Sequence, residues 1–185
     1  MRLFLGFAPA TAERDIYQLC QSVKGSQLLP AELPLRWVPS ENWHVTLVFL
    51  GEIANARLAQ LVDAISPVIA EHSQMQLSFE ALAWFPSASK ARMLTLLAEA
   101  LDPLLNLQRE VVAELRREAF HTERRAYRPH LTLARLKGRR KDYAPPALPA
   151  IQPLTLQLQE VTLFESVQAG RAYVYEPLQQ FGLRP

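Results

Sequence analysis

The sequence predicts an α+β or mixed α/β fold that spans residues 1–185 as one two-lobed unit. Three observations carry that expectation. Helix-patterned and strand-patterned segments alternate without the long succession of apolar strands that a parallel sheet needs. The length, 185 residues, suits one domain or one compact two-lobed unit with a core of its own. The pattern His-x-Thr-Leu occurs twice, as His44-Val45-Thr46-Leu47 and His130-Leu131-Thr132-Leu133, 86 residues apart and so nearly half the chain. Two lobes with pseudo-twofold symmetry would bring the two motif strands side by side across a cleft.

Taken in order, Leu3 to Ala8 reads as a strand buried on both faces, broken by Pro9-Ala10-Thr11, with Thr11 the expected helix cap. Ile16, Leu19, Cys20 and Val23 then recur at helical spacing until Gly25. Leu28 to Pro34 is Pro-rich and irregular, and Leu35 to Val38 is a short strand. A turn at Pro39-Ser40-Glu41-Asn42 leads into the first motif strand, Trp43 to Leu50, which Gly51 ends. Leu58, Leu61, Val62 and Ile65 define a helix face. Pro67 either kinks that helix or opens a second short one reaching His72. Gln76 to Leu82 alternates as a strand, Trp84 to Ser87 is a turn, and Arg92 to Ala98 is a further strand.

A helix from about Pro103 to Ala119 carries Leu104, Leu107, Val111 and Leu115 on one side. A basic loop from Phe120 then leads to the second motif strand, Tyr127 to Leu136. After a Pro-rich loop from Gly138 to Pro153, two closing strands fit Leu154 to Ser166 and Arg171 to Pro177, with a turn at Gln168-Ala169-Gly170.

The net charge of +2 hides an uneven distribution. Between Arg116 and Lys141 ten basic residues stand against Glu118 and Glu123, an excess of +8 that leaves the remainder at −6. Such a run is either a solvated surface or the footprint of an anionic partner, most simply a phosphate chain. Cys20 is the one cysteine, so no intramolecular disulfide and no Cys-based metal site can form. The N-terminal apolar run is too short for a signal peptide, and no stretch approaches the roughly 20 apolar residues of a spanning helix. The expectation is a soluble cytoplasmic protein, and a monomer.

The motifs carry the chemistry. In a strand, side chains alternate between faces, so His44 and Thr46 share one face while Val45, Leu47 and Phe49 share the other. His130 and Thr132 match them, with Leu131 and Leu133 pointing away. Two imidazoles facing one cleft can hold opposite protonation states, one as base and the other as acid, which suits displacement at phosphorus. Thr46 and Thr132 could then hydrogen-bond the non-bridging oxygens. Arg135 is the nearest cation, but strict alternation puts it on the face opposite His130, and it reaches the phosphate only if the strand bulges or ends there.

Metal chemistry is the rival. His44 and His130 lack Asp, Glu, Cys or His at ligand spacing, so no metal is expected. No Gly-x-Ser-x-Gly elbow and no Gly-rich phosphate loop is present, and no cofactor is expected. His72 and His121 have no motif partner.

His44-Val45-Thr46-Leu47-Val48-Phe49-Leu50-Gly51 and Arg128-Pro129-His130-Leu131-Thr132-Leu133-Ala134-Arg135 resemble the paired signatures of the two-histidine (2H) phosphoesterase superfamily. Within it, the chain is most similar to the RNA 2′,3′-cyclic phosphodiesterases, also called 2′-5′ RNA ligases. The likeness includes Met1-Arg2-Leu3-Phe4, Arg36-Trp37-Val38-Pro39 and Val161-Thr162-Leu163-Phe164-Glu165-Ser166.

The resemblance implies a bilobal α+β fold, each pseudo-symmetric lobe with a mainly antiparallel sheet and outer helices, the motifs in a central cleft and no metal. It implies hydrolysis of RNA 2′,3′-cyclic phosphate ends, tRNA fragments among them, to 2′-phosphate ends, with His44 the proton donor and His130 the proton acceptor. Thr46, Thr132 and Arg135 would hold the phosphate, and reverse, ATP-independent 2′-5′ ligation would use the same groups. Trp37, Trp43, Phe49 or Tyr127 could stack on the terminal base. The alternatives are a phosphodiesterase acting on small cyclic nucleotides and a non-catalytic basic RNA-binding module.

Overall fold

The computed structural model of the chain describes residues 1–26, 29, 33–99, 101–123, 125–137, 145–170 and 172–185. In order, its elements are β1 (Arg2–Phe7), α1 (Glu13–Gly25), β2 (Leu35–Trp37), β3 (Val45–Glu52), α2 (Leu58–Ala70), β4 (Met75–Phe85), β5 (Met93–Ala98), α3 (Asp102–Arg117), β6 (His130–Leu136), β7 (Leu154–Leu158), β8 (Glu160–Ala169) and β9 (Ala172–Gly182). The strands join in a curled sheet of order β7-β4-β5-β6-β3-β1-β8-β9, with β2 beside β6. Every ladder in it is antiparallel.

The two motif strands lie at the middle of that order. β6 belongs to a lobe with β4, β5 and β7, and β3 to a lobe with β1, β8 and β9. Val45 on β3 pairs with Leu131 on β6 across the seam. Each motif strand follows a helix and then pairs with the strand that precedes that helix, β3 with β1 across α1 and β6 with β5 across α3. This is the pseudo-symmetry that the repeated motif predicts.

Packing explains why one face of the sheet stays open for chemistry. The apolar faces of the helices supply Ile16, Cys20 and Val23, then Leu61, Ile65 and Ile69, then Leu104, Leu107, Val111 and Leu115, all buried. They join Leu3, Leu5, Phe7, Val45, Leu47, Leu94, Leu96, Leu131 and Leu133 in one hydrophobic cluster. Fully burying each Leu, Ile or Phe contributes about 1.5–3 kcal/mol, so the helices stay on that face. The other face carries the polar motif residues.

Several local expectations need correction. Ala12, not Thr11, caps α1; the Thr11 hydroxyl instead accepts the Gln157 N–H at 3.1 Å, which ties the helix start to β7. β3 runs through Gly51 to Glu52, because Gly51 absorbs a φ of +72° within the strand. α2 runs through Pro67 to Ala70 as one helix. β4 takes in Trp84 and Phe85, read as a turn, because both continue the ladder with β5. The segment read as one strand from Leu154 to Ser166 is two, separated at Gln159: β7 pairs with β4 in one lobe and β8 with β1 in the other. Much of the loop from Gly138 to Pro153 and of the segment from Leu28 lies outside the described residues, as does Arg171.

Candidate active site

The Val45–Leu131 pair fixes which side chains face each other. Extending its antiparallel register by one residue sets His44 across from Thr132 and Thr46 across from His130. Directly opposed side chains lie on one face, with Cβ atoms about 4.5–5.5 Å apart, and diagonal pairs about 7–8 Å apart. The two histidines are therefore the diagonal corners of a square, and the two threonines are the other diagonal. All four are half-buried, while Val45 and Leu131 between them are fully buried on the opposite face.

Each imidazole is pinned in the same way. His44 Nδ1 lies 2.8 Å from the carbonyl oxygen of Asn42, and His130 Nδ1 lies 2.8 Å from that of Arg128. A carbonyl only accepts, so Nδ1 carries the proton in both rings and Nε2 is the nitrogen left for chemistry. Apolar rings fix the planes. The Phe85 ring stacks on His130 at 4.1 Å, and Phe4 and Tyr175 pack on His44 at 4.7 and 4.9 Å.

Burial pushes the His44 pKa down to about 4, opposed by the Asn42 carbonyl and reinforced by Arg135 and His130. Burial also lowers that of His130; the Arg128 carbonyl opposes this, and the Arg128 and Arg135 cations add to it. Without an anion, both rings are driven toward the neutral form.

Arg135 reaches this face because β6 bulges. Leu94 pairs with Ala134 but Thr95 pairs with Thr132, so Leu133 is an extra residue that reverses the facing of the residues after it. Leu133 and Ala134 are both buried and Arg135 is exposed on the side of Thr132. The Met93 sulfur confirms the shared face, lying 3.7 Å from Thr132 Oγ1 and 3.5 Å from Arg135 Nη1.

The first motif bulges at the same place. Gly6 pairs with Thr46 and Leu5 with Val48, leaving Leu47 extra. Phe49, expected on the oily face with Val45 and Leu47, is therefore turned to the site face, 51 % exposed, with its ring 5.9 Å from that of Phe4. Adding the motif spacing of 86 to Phe49 gives Arg135: the two lobes present an aromatic ring and a cation at equivalent positions.

Of the other aromatic candidates, Trp43 is buried in the core, Trp37 packs against it under the Lys24 ammonium, and Tyr127 buries its hydroxyl. Sequence reasoning missed Asn42, Phe85, Tyr175 and Met93. Asn42 holds His44 through its backbone, and a backbone carbonyl leaves no trace in residue identity. Its side chain also brackets β9, donating to the Tyr173 carbonyl at 2.7 Å and accepting from the Tyr175 N–H at 3.1 Å.

The basic run is only partly a free surface. Arg117 pairs with Glu114 and Arg125 with Glu123, while Arg116 donates to the Thr122 hydroxyl. Arg124, Arg139, Arg140 and Lys141 lie outside the described residues. His72 pairs with Glu110, away from the motifs. Among the described residues, no group of three or more His, Cys, Asp or Glu is arranged to hold a metal ion.

A family profile described as the 2′-5′ RNA ligase superfamily matches residues 14–170, a span that contains both motifs and their bulges. The chain belongs to the 2′-5′ RNA ligase superfamily. Proteins named RNA 2′,3′-cyclic phosphodiesterase resemble it at low identity. The one from Bacillus subtilis is 25 % identical over 164 residues, covering 88 % of this chain and 87 % of that protein. The one from Methanothermobacter thermautotrophicus is 26 % identical over 160 residues, covering 84 % and 86 %.

The relative from Geobacillus stearothermophilus is 27 % identical over 156 residues, and the matched region spans only 49 % of that longer protein. Two solved structures share the fold of this superfamily member. TT0787 of Thermus thermophilus superposes with a TM-score of 0.79 at 22 % identity, covering 100 % of this chain and 98 % of that one. E. coli LigT complexed with 3′-AMP gives 0.75 at 22 %, covering 98 % and 97 %.

Proposed function

We propose that the protein hydrolyses RNA ends bearing a ribose 2′,3′-cyclic phosphate to 2′-phosphate ends, by metal-independent proton exchange between His44 and His130. The observation that carries this reading is the square of two pinned imidazoles and two hydroxyls beside Arg135. A water on His130 Nε2 gives up a proton as its oxygen attacks phosphorus. The P–O3′ bond breaks, and the 3′ oxygen takes a proton from His44 Nε2. Thr46, Thr132 and Arg135 stabilise the non-bridging oxygens as charge develops on them.

The directions of the pKa shifts fit a neutral base at His130. The donor role of His44, which the family resemblance implies, needs a higher pKa than about 4. A bound phosphate raises it, because a negative charge beside the ring favours the imidazolium against the burial, and the lesser pull of Arg135, that lower it. With a 5′-hydroxyl in place of water, the same two proton transfers join RNA ends through a 2′-5′ bond, without ATP. Phe49 offers a platform for the terminal base. The names of the relatives support the substrate class.

The test is an oligoribonucleotide ending in a 2′,3′-cyclic phosphate, assayed in EDTA across pH. The expected result is a 2′-phosphate product and a bell-shaped rate profile, since one imidazole must be charged and the other neutral. Turnover abolished by EDTA would contradict the mechanism. Faster turnover of a mononucleotide or of ADP-ribose cyclic phosphate would move the substrate to small cyclic nucleotides. Salt-sensitive RNA binding without turnover would leave a binding module.

A further inference from the structure

On β2, Arg36 is paired directly with Arg135 of β6. Its neighbours Leu35 and Trp37 pack toward the core, and Arg36 is exposed on the opposite face. Directly opposed residues of an antiparallel pair share a face with Cβ atoms about 4.5–5.5 Å apart, so the two guanidinium groups extend over the same surface. Like charges so placed repel. Among the described residues neither arginine has a carboxylate partner, and the acceptor of the Arg135 guanidinium is the Met93 thioether, a weak one. Two cations in register with no anion between them are an arrangement that an anion would complete.

The pair lies along β6 from the histidine–threonine square. From Thr132 to Arg135 the strand advances two to three residues, bulge included, or roughly 7–10 Å at about 3.3 Å per residue. One phosphate in the square cannot also lie centred between the two arginines.

We propose that Arg36, with Arg135, forms a second anion subsite that takes the neighbouring backbone phosphate of the RNA strand whose end occupies the square. Arg135 reaches toward both phosphates; Arg36 serves the second. The subsite favours a chain with at least one internal phosphodiester over a mononucleotide. This rests on the reading of the square as the seat of the cyclic phosphate.

The experiment compares Arg36→Gln with wild type on two substrates, a nucleoside 2′,3′-cyclic phosphate and the dinucleotide that adds one internal phosphodiester. The readout is the ratio of kcat/KM for the longer over the shorter. Wild type should favour the dinucleotide, and Arg36→Gln should lower that ratio about tenfold, as expected for one lost charged contact. The salt slope of dinucleotide binding should fall by about 0.7, the share of one phosphate on a single strand.

In phosphate-free, low-salt buffer the variant should melt no lower than wild type, because repulsion with Arg135 is relieved. An unchanged ratio overturns the subsite, and so does a lower melting temperature with an unchanged ratio, which would make Arg36 merely structural. If wild type turns over neither substrate, the proposed chemistry fails, and the salt slope for a dinucleotide ending in 3′-phosphate still decides the subsite.

Discussion

His44→Ala and His130→Ala should each lower kcat on a 2′,3′-cyclic phosphate end by about 10²–10⁴-fold, the range typical of general acid–base groups. Both side chains are half-buried at the seam, and their removal takes away hydrogen bonds to backbone carbonyls rather than core volume. Melting temperatures should therefore stay close to wild type, separating lost chemistry from lost fold. The double variant should fall little below either single one, since groups acting on the same transition state are not additive. Each single variant should also lose one limb of the bell-shaped profile. Near wild-type rates in either variant would mean that the motifs do not carry the reaction.

Arg135→Ala should cost about 10²–10³-fold in kcat/KM, the scale for removing one preorganised donor from a developing oxyanion. Arg135→Lys should recover only part of it, because an ammonium keeps the charge and loses the fork that meets two phosphate oxygens together. Deleting Leu133 should keep much more activity than Arg135→Ala. The shortened strand pairs regularly with β5 and still turns Arg135, then two residues after Thr132, to the site face. Steady-state kinetics on the same substrate check all three. An Arg135→Ala enzyme with unchanged kcat/KM would leave the guanidinium outside the phosphate clamp.

How much of the molecule is legible in the sequence depends on how local each signal is. The helical faces at Ile16, Leu61 and Leu104 and the alternation around both motifs depend on residues a few positions apart, and the helices form at those places. His44, Thr46, His130 and Thr132 come together because two identical patterns enforce the same facing and Val45–Leu131 pairing does the rest. Arg135 is legible only as a condition. Alternation places it wrongly, and the bulge at Leu133 depends on pairing with β5, which no local pattern records.

The same bulge at Leu47 overturns the facing of Phe49. The split at Gln159 is invisible in the sequence because both halves alternate well. Only their partners, β4 and β1, lie in different lobes. Asn42 acts through a backbone carbonyl and through β9, more than 130 residues later, so nothing near His44 announces it.

The central claim is that both imidazoles face one anion. The most direct measurement is an NMR titration of the histidine ring nitrogens against pH, with and without sulfate, whose charge stays constant over the range. In the free protein, His44 should titrate near 4 and His130 below its ordinary value. Sulfate should raise both midpoints, since an anion favours the charged ring, and should accordingly bind more tightly as pH falls through the raised values. Nδ1 should stay protonated throughout, with the change confined to Nε2. Midpoints that ignore sulfate, or a response from one ring alone, would contradict the shared site.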